Sequence, residues 1–482
     1  MIRNGKKKAI SCALVAAMSV GLAACGTTSY DFKVSYDGIK TGDVSSKVSV
    51  HDPSILKADG EYYIFGSHMS AAKSSDLLNW EKVADGYSKK NPVYGQIYDV
   101  ADEAFAYSGS KNSLIKTDDK QVHVWAPDVI YNETTGLYYM YYCTTSTWNA
   151  SNLCYGTSTT PEGPYEWQGA LIYSGFNRKT ISGTDVLDYV DEDYAYKNYI
   201  KGAQYNYEDY PNAIDPTVFY DADGRMWMVY GSWSGGIFLL EIDKTTGLVI
   251  HPEADEANNV DPYYGKRLLG GGHISIEGPY IMYDEASGYY YLFVSYGALT
   301  SNGGYQVRVF RSKTVDGEYV DMNGKYPEKS AQHQNFGLKL TGNYKLPSLE
   351  KAYMATGHNS AFVDDDGRMY LVYHTRFNDN GEGHSPRVHQ MLVNEDGWPC
   401  ELPYQTQGET VNKDGYDTDD IIGRYYVINQ GTAIDSKIAN PVILYLEKNG
   451  KVKGEKSEGT WECKDGSYYM NITIAVSYTH LR

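Results

Sequence analysis

The sequence has few cysteines, few phenylalanines and fewer basic than acidic residues, and these shortages exclude several classes of protein. Its 43 Lys and Arg against 61 Asp and Glu give a formal net charge of -18. Because nucleic-acid binding depends largely on clustered Lys and Arg, this balance excludes a nucleic-acid partner. The six cysteines and 11 histidines show no spacing typical of zinc ligands. Helical periodicity is almost absent, which predicts a chain built from strands.

Tyrosine is the aromatic residue that the chain has in excess. There are 48 tyrosines against 11 phenylalanines in 482 residues, and 42% of the residues are hydrophobic. A chain of this length and composition buries one large core or two moderate ones. Tyrosine suits half-buried strand surfaces, and it offers a ring face and a hydroxyl group to polar ligands. We therefore predict a globular, all-β protein.

The N-terminus has the features of an export signal. Lys6–Lys8 precede an apolar run, Ala9–Ala24, which is short for a membrane span and is typical of a secretory signal peptide. Leu22–Gly26 resembles a bacterial lipobox, in which Cys25 becomes the lipidated first residue of the mature protein; an ordinary cleavage site beside an incidental cysteine is the alternative. We expect residues 1–25 to be this signal, residues 26–48 to be a polar tether, and the protein to be extracellular, attached to the membrane only through a lipid on Cys25.

The remaining cysteines leave one question open. Cys12 and Cys25 belong to the leader, and four others remain: Cys143, Cys154, Cys400 and Cys463. Cys143 and Cys154 flank a turn rich in Ser, Thr and Asn. A disulfide and two free thiols are both compatible with this spacing, because spacing alone does not fix the Cα distance that a disulfide requires.

Five segments of the chain repeat one pattern, which is a polar motif, an apolar run, a glycine turn and a run rich in Tyr or Trp. We call the acidic or histidine residue that opens each pattern its lead residue: Asp52, Asp128, Asp215, Glu277 and His358. Short strands repeated around a ring predict a β-propeller, here with five blades over residues 49–410. The lead residues would then meet at one end of the central channel and form a functional site. The alternative is that they only cap strands and turns.

The pattern changes beyond about Gly415 to short alternating runs with hairpin turns at 448–450 and 465–466. We predict a second, smaller β domain over residues 415–482. Ala475–Arg482 do not continue the strand pattern and resemble translated adapter sequence. We therefore expect this domain to be truncated and its last eight or so residues to be non-native.

The ordered motifs resemble those of glycoside hydrolase family 43. They are His51-Asp52-Pro53-Ser54, Trp125-Ala126-Pro127-Asp128, Asn212-Ala213-Ile214-Asp215-Pro216, Ile276-Glu277-Gly278-Pro279-Tyr280 and Gly357-His358-Asn359-Ser360. Tyr373–Phe377, Arg387–Met391 and Gly397–Pro399 make the chain similar to the two-domain endo-α-1,5-L-arabinanases over about residues 49–409. The resemblance implies a five-bladed propeller followed by a C-terminal β-barrel. It also implies a monomeric enzyme that cleaves internal bonds of plant cell-wall arabinan, including pectin side chains.

Three carboxylates fit the chemistry of glycosidic bond cleavage. One carboxylic acid must protonate the leaving oxygen, and one carboxylate must activate water. A third carboxylate nearby raises the pKa of the acid by like-charge repulsion. The resemblance implies that Asp52 is the general base, Glu277 the general acid, and Asp215 the residue that tunes and orients that acid. It also implies inversion at the anomeric carbon, with the working carboxyls about 6.5 to 9.5 Å apart. Asp128 is expected to be structural or peripheral.

A histidine such as His358 more often packs in a core than binds a ligand. The resemblance nevertheless implies that it reaches a divalent cation in the channel, usually taken as calcium, whose other ligands are mostly waters. Because calcium ordinarily prefers oxygen ligands, the resemblance supports the presence of a metal more strongly than its identity.

Sugar binding requires aromatic platforms beside polar groups, and the sequence offers six candidates: His51, Trp125, Trp148, Asn149, Trp233 and His273. For each tryptophan, packing between blades is the alternative. The loops 84–122, 175–210 and 321–353 decide between an open cleft and a closed pocket. Two other functions therefore stay open, namely an exo-acting α-L-arabinofuranosidase or β-xylosidase of the same fold, and a non-catalytic surface propeller that binds glycans.

Overall fold

The computed structural model describes residues 29–37, 46–86, 90–94, 101–117, 122–146, 150–327, 333–464 and 467–476. The predicted signal peptide with Cys25, residues 26–28 and 38–45 of the predicted tether, Trp148, Asn149 and residues 477–482 lie outside these ranges. Antiparallel strands dominate the described chain, which confirms the predicted all-β class.

Five antiparallel sheets follow one another along the chain. The first contains β1 (Ser54–Ala58), β2 (Glu61–Gly66), β3 (Ser70–Ser74) and β4 (Glu81–Ala84). After the short helix α1 (Ala101–Ala104), the second contains β5 (Val124–Asn132), β6 (Leu137–Thr145), β7 (Ser151–Ser158) and β8 (Glu166–Tyr173). Each of these sheets is a meander in which strands adjacent in sequence pair.

An insertion precedes the third sheet and holds the helices α2 (Val186–Tyr189) and α3 (Glu192–Asn198) with the hairpin β9 (Ile200–Lys201) and β10 (Gln204–Tyr205). Asp261 of the third sheet holds this insertion in place. Its carboxylate accepts hydrogen bonds from the Tyr199 hydroxyl at 2.8 Å and from the Tyr263 backbone N–H at 2.9 Å. The third sheet contains β11 (Thr217–Tyr220), β12 (Met226–Tyr230), β13 (Ile237–Ile242), β14 (Val249–Ile250), β15 (Val260–Asp261) and β16 (Gly265–Leu269).

The last two of the five sheets are four-stranded meanders. The fourth contains β17 (Ile276–Asp284), β18 (Tyr289–Tyr296), β19 (Gln306–Ser312) and β20 (Leu338–Thr341). The fifth contains β21 (Tyr353–Val363), β22 (Met369–Phe377), β23 (His384–Val393) and β24 (Pro399–Glu401). The predicted turn glycines lie in the five first hairpins with φ between 64° and 81°, a conformation that favours glycine. They are Gly60, Gly136, Gly224, Gly288 and Gly367.

The first strands of the five sheets form a closed ring. β1 contacts β5, β5 contacts β11, β11 contacts β17, β17 contacts β21, and β21 contacts β1. A separate apolar cluster fills each of the five junctions between neighbouring sheets. Successive side chains of a strand point to opposite faces of its sheet, and each face packs into one of these clusters. Every sheet is therefore buried on both sides. This explains why the strands are apolar at nearly every position.

The two central cysteines point to opposite faces of the second sheet. Cys143 pairs with Leu153 in the register, and Cys154 pairs with Tyr142, so the two cysteines are one residue out of step. Cys143 lies in the cluster toward the third sheet, and Cys154 lies in the cluster toward the first. Both thiols are free, and the disulfide alternative is therefore wrong.

The C-terminal domain is one five-stranded antiparallel meander that follows α4 (Thr418–Ile421). Its strands are β25 (Gly423–Val427), β26 (Val442–Leu446), β27 (Lys451–Gly454), β28 (Ser457–Cys463) and β29 (Met470–Val476). Within the described residues β25 and β29 do not pair, so the predicted barrel is an open sheet here. β29 also continues through Val476. The prediction that the strand pattern ends before Ala475 is therefore wrong.

Part of the predicted tether lies against this C-terminal sheet. The Tyr445 hydroxyl donates to the Asp31 carbonyl at 2.8 Å, and Arg424 donates to the Lys33 carbonyl at 2.9 Å. The rings of Phe32 and Tyr445 meet edge to face at 5.6 Å. Residues 29–37 are therefore packed rather than free. No helix in the described part of the chain is both long and apolar enough to cross a membrane.

Candidate active site

Each of the five first strands has a residue with left-handed backbone shortly before it or within it. The five are Asp52, Ala126, Asp215, Gly278 and His358, with φ between 39° and 56°. Four of them precede a proline, which has no N–H to donate to the neighbouring strand. This shared conformation identifies the equivalent positions of the five repeats. Two predicted lead residues therefore do not occupy the equivalent positions. Asp128 lies two residues after Ala126, and Glu277 lies one residue before Gly278.

Asp52 is a buried carboxylate surrounded by histidines. The Ser67 hydroxyl donates to its Oδ2 at 2.5 Å, and His51 Nδ1 lies 2.9 Å from the same oxygen. His358 Nδ1 lies 3.1 Å from Oδ1. Burial opposes ionisation, but His358 and His51 outweigh it and hold the pKa of Asp52 well below its usual value. Asp52 is thus ionised at neutral pH, as a general base must be.

Glu277 has hydrogen-bond donors on both carboxyl oxygens. The Tyr305 hydroxyl donates to Oε1 at 2.6 Å, and Trp233 Nε1 donates to Oε2 at 2.6 Å. Ser232 adds a bond of 3.3 Å to Oε2. The carboxyl plane is therefore fixed from two sides. Glu277 pairs with Ser295 of β18, and the irregularity of β17 follows it, since the next registered pair is Tyr280 with Phe293.

Asp215 is buried beside the other two carboxyls, with 5% of its surface exposed. The Gly278 N–H donates to its Oδ2 at 3.2 Å. Burial raises the pKa of Asp215 to about 7, with Glu277 and Asp52 adding to the rise and His358 opposing it. Asp215 is therefore partly protonated near neutral pH.

His358 is placed among all three carboxyls by the absence of a side chain at Gly278. A Cβ at Gly278 would lie 3.1 Å from the imidazole Cγ, and φ there is 56°. Burial lowers the pKa of His358, but Asp52, Asp215 and Glu277 together raise it above its usual value. His358 is thus the positive partner of the three carboxyls when its Nε2 carries a proton, and it is neutral when Nε2 binds a cation, which then supplies the positive charge.

The expected metal ligand has one free nitrogen. Nδ1 of His358 faces Asp52, and its Nε2 makes no hydrogen bond with any described residue, so this side chain fits a role as the single protein ligand of a cation. The described residues also contain one group of side chains with metal-ligand spacing, whose ligand atoms lie within 4.8 Å of one another: His51, Asp52 and His374. It does not include His358, and its two nitrogens suit a transition metal better than calcium.

Asp128 lies within the ring of first strands rather than among the carboxyls of Asp52, Asp215 and Glu277. The Ser54 hydroxyl and the Val218 N–H donate to its two oxygens, the latter at 2.6 Å. Burial raises the pKa of Asp128 to about 7, although these hydrogen bonds oppose the rise. These bonds tie the second sheet to the first and third, which accords with the expected structural role.

The predicted sugar-binding residues separate into different environments. His51 stacks on His374 with ring centroids 4.4 Å apart and contacts Asp52, so it belongs to the surroundings of the base. Trp125 packs against the cluster between the second and third sheets, as its alternative interpretation expected. Trp148 and Asn149 lie outside the described residues.

Trp233 and His273 lie in an aromatic row that leads away from Glu277. Trp233 bonds to Glu277, its ring lies 5.7 Å from that of His273, and His273 lies 5.8 Å from the ring of Tyr207. Both His273 and Tyr207 are exposed. The rings are inclined to one another, by 48° between Trp233 and His273 and by 78° between His273 and Tyr207, so each offers a separate aromatic face to a sugar.

Four residues of the site were not predicted: Ser67, Tyr207, Tyr305 and His374. Ser67 and Tyr305 lie in loops without a motif, so the sequence alone gives no signal for them. His374 is opposite Gly357 in the register of β21 and β22, and its Nδ1 accepts a hydrogen bond from the Asp52 N–H at 3.3 Å. Pairing the fifth motif with the strand that follows it would have placed His374 opposite Gly357, and this is the signal that the sequence offered.

An ionised carboxylate, a hydrogen-bonded carboxyl and a third buried carboxyl are the kinds of group that hydrolysis of a glycosidic bond requires. The sequence matches Glycosyl hydrolases family 43 over residues 44–208 and 191–399, and a C-terminal lipocalin-like domain of that family over residues 403–481. The chain belongs to glycosyl hydrolases family 43, as the motifs predicted, and is a glycoside hydrolase.

Its relatives span nearly the whole chain. An extracellular endo-alpha-(1->5)-L-arabinanase of Thermotoga petrophila is 39% identical over 438 residues, which cover 88% of this chain and 84% of that protein. The extracellular endo-alpha-(1->5)-L-arabinanase 2 of Bacillus subtilis is 37% identical over 458 residues, covering 90% and 86%. The crystal structure of the endo-1,5-alpha-L-arabinanase from Thermotoga petrophila RKU-1 superposes with a TM-score of 0.77 at 37% identity, covering 91% and 92%. The predicted resemblance to two-domain endo-arabinanases is confirmed.

Proposed function

We propose that this protein hydrolyses internal α-1,5-linked L-arabinofuranosyl bonds of arabinan. The observation that carries the proposal is the contrast between two carboxyls, since Asp52 is held ionised by histidines whereas Glu277 is held by two neutral donors beside Asp215. Relatives that match nearly all of the chain are named endo-arabinanases, and this supports the substrate. The five sheets are, in this proposal, the five blades of a propeller whose channel carries the site.

Catalysis in this proposal is a single inverting displacement. Asp52 accepts a proton from a water molecule as the water oxygen attacks the anomeric carbon. The bond from that carbon to the leaving sugar breaks, and the proton of Glu277 passes to the leaving oxygen. Like-charge repulsion with Asp215 favours a proton on this pair before the reaction. Inversion requires room for the water, so the two working carboxyls should stand about 6.5 to 9.5 Å apart.

A divalent cation held by His358 is part of the proposal. Such a cation, with calcium the first candidate, would supply positive charge that supports ionised carboxylates nearby. His358 would hold it through Nε2, while its Nδ1 keeps Asp52 ionised. Activity measured before and after chelation, with calcium, manganese and zinc added back, tests the presence and the identity of the metal.

Endo action is supported by the relatives, because those that match nearly all of the chain are named endo-arabinanases. The general acid protonates the leaving oxygen, so the row from Trp233 to Tyr207 extends on the leaving-group side of the bond. An enzyme that releases terminal residues also holds the rest of the chain on that side, so the row fits both modes of action. The names of the relatives, and not the row, therefore favour endo action over the exo-acting alternatives.

The location proposed is the outside of the cell, with a lipid anchor on Cys25. The relatives named above are extracellular, and the N-terminal sequence has a lipobox. Incorporation of labelled palmitate into the wild type but not into Cys25→Ala would support the anchor. Equal labelling of both would contradict it.

One experiment separates the candidate functions. Debranched arabinan and xylan are digested, and the products are sized at early times. Oligomers of mixed length from arabinan support the proposal, monomer alone indicates exo action, and release from xylan alone indicates a xylosidase. Binding without release, unchanged in Asp52→Asn and Glu277→Gln, would identify a glycan-binding protein. Proton NMR of the first product reports its anomeric configuration and tests inversion.

A further inference from the structure

The C-terminal domain reaches into the fourth sheet through the segment between β25 and β26, residues 428–441, which we call the connection. Arg308 on β19 donates to the Thr432 carbonyl at 2.5 Å. Gln306 on the same strand donates to the Ala433 carbonyl at 3.0 Å, and Lys339 donates to it at 3.2 Å. Three side chains of the fourth sheet therefore hold two consecutive carbonyls of the connection.

Arg308 is fully buried, which is unusual for a cation without an ion pair among the described residues. Its guanidinium also donates to the carbonyls of Gln334 and Phe336 at 2.8 Å each, and it lies over the ring of Tyr296 at 4.6 Å. A buried cation is tolerated only when its donors are satisfied. The Thr432 carbonyl is one of these partners, so the connection is built into the fourth sheet and does not merely rest on it.

The connection touches the backbone directly before Tyr305. A Cβ at Gly304 would lie 2.7 Å from the Asp435 nitrogen and 2.9 Å from its carbonyl oxygen, and φ at Gly304 is 71°. Only glycine leaves room for this approach. On its other side, the Tyr305 ring packs against Gly357, where a Cβ would come within 2.3 Å of it. Tyr305 is thus held between the connection and the fifth sheet.

Tyr305 in turn holds the general acid. Its hydroxyl donates to Glu277 Oε1 at 2.6 Å, and its ring stacks on His374 at 5.9 Å. A continuous series of contacts therefore runs from the C-terminal domain through Gly304 and Tyr305 to Glu277. We infer that the C-terminal domain positions the catalytic acid through this connection. The inference rests on the proposed function, in which Glu277 is the acid.

Acid positioning has a kinetic signature that ordinary domain packing lacks. Arabinose oligomers have poor leaving groups that need a proton, whereas nitrophenolate leaves without one. A misplaced acid slows cleavage of arabino-oligosaccharides much more than cleavage of a nitrophenyl arabino-oligoside. A loss of folded enzyme lowers both rates equally.

The test uses two matched isoleucines of the domain junction. Ile434 lies in the connection and packs against the cluster of the fourth sheet, whereas Ile428 packs against a different cluster around Tyr344. In Ile434→Ala we expect kcat on arabinohexaose to fall roughly tenfold, while kcat on the nitrophenyl substrate changes less than about twofold. Ile428→Ala should not separate the two substrates. Tyr305→Phe, which removes the hydroxyl itself, should show the same selectivity with a loss of roughly ten- to hundredfold.

A double variant completes the test. If the connection acts through Tyr305, the loss in Ile434→Ala disappears when Tyr305→Phe is already present. Additive losses, equal losses on the two substrates, or selectivity in Ile428→Ala as well would overturn the inference while leaving the proposed function intact. A wild-type protein that cleaves neither substrate would overturn both.

Discussion

His358 on β21 and Asp52, just before β1, are in contact between the two neighbouring strands that close the ring, with Nδ1 of the imidazole 3.1 Å from Oδ1 of the carboxylate. Residues from the first and fifth repeats thus meet at one end of the ring. The contact explains a division of roles, since the histidine holds this carboxyl ionised while Asp215, with burial dominating, keeps a pKa of about 7.

Removing the charge of His358 should move the pH dependence of the reaction. In His358→Gln a hydrogen bond to Asp52 is retained but the positive charge is lost, so the pKa of Asp52 rises. Because the base must be ionised, we expect the acidic limb of kcat/KM to move to higher pH by on the order of one pH unit. His251→Gln, directly after β14 of the third sheet and outside the site, is the control. An acidic limb that stays in place would show that His358 does not set the ionisation of Asp52.

Trp233 should matter through its indole nitrogen as well as its ring. Trp233→Phe keeps an aromatic ring but removes the 2.6 Å hydrogen bond to Glu277. We expect kcat on arabinan to fall roughly tenfold or more, with a smaller change in KM, because bonds to charged groups contribute about 1.5 to 3 kcal/mol. Trp227→Phe is matched, since it removes a 2.8 Å bond to Asp221 in an outer hairpin of the third sheet. If both variants lose the same activity, the bond to Glu277 has no special role.

Sequence reasoning could single out the three proposed catalytic carboxyls because each lies beside a proline or glycine in an ordered motif. Asp52, Asp215 and Glu277 are residue types that a pattern can reveal. The pattern could not show that Ala126 and Gly278 occupy the positions equivalent to Asp52, because that equivalence is one of backbone conformation. It points instead to Asp128 and Glu277, the acidic residues close to those positions.

Three residues of the site could not be predicted from the sequence, for a different reason. Ser67, Tyr207 and Tyr305 reach the site only because the ring brings separate segments together, and no local spacing encodes such contacts. The free thiols of Cys143 and Cys154 depend on strand register, since a shift of one residue places them on opposite faces.

Replacing Asp215 should lower activity and raise stability. The pKa of Asp215 is about 7 in the folded protein and near 4 when unfolded, so between these values the folded state keeps a proton that the unfolded state has released. Its contribution to the free energy of unfolding therefore falls as pH rises from about 4 to 7. In Asp215→Asn we expect a gain on the order of 1 to 4 kcal/mol at pH 8.

That gain should vanish near pH 4, where Asp215 is protonated in the folded wild type. Urea unfolding of the two proteins at both pH values measures the difference, and kcat on arabinan should fall at least roughly tenfold in the variant. A gain that is equal at the two pH values would mean that the ionisation of Asp215 does not limit stability.

Closure of the ring depends on side chains between the first and fifth sheets, because each sheet is a continuous segment of chain. The Tyr62 hydroxyl donates to Asp364 at 2.6 Å, and the Ser360 hydroxyl donates to the Pro53 carbonyl at 2.8 Å. Tyr62→Phe should lower the free energy of unfolding by about 1 kcal/mol. Activity should not change, since Tyr62 contacts no residue of the site. Tyr63→Phe, on the other face of β2, is the control. An equal loss of stability in Tyr63→Phe would show that the hydrogen bond from Tyr62 to Asp364 has no specific role in closing the ring.

Tyr207 should bind the leaving-group end of a long substrate. Its ring is 36% exposed and continues the row that starts with Trp233 and His273 at Glu277. In Tyr207→Ala we expect KM for arabinan and arabinohexaose to rise roughly fivefold to tenfold, since stacking on one ring contributes about 1 kcal/mol, while kcat stays within about twofold. Arabinobiose derivatives are too short to reach it, so their kinetics should not change. Tyr131→Ala removes an equally exposed tyrosine, 41%, at the far end of β5 and should leave every substrate unaffected. A KM that rises for short and long substrates alike, or that rises in both variants, would show that the leaving-group end of the substrate does not bind at Tyr207.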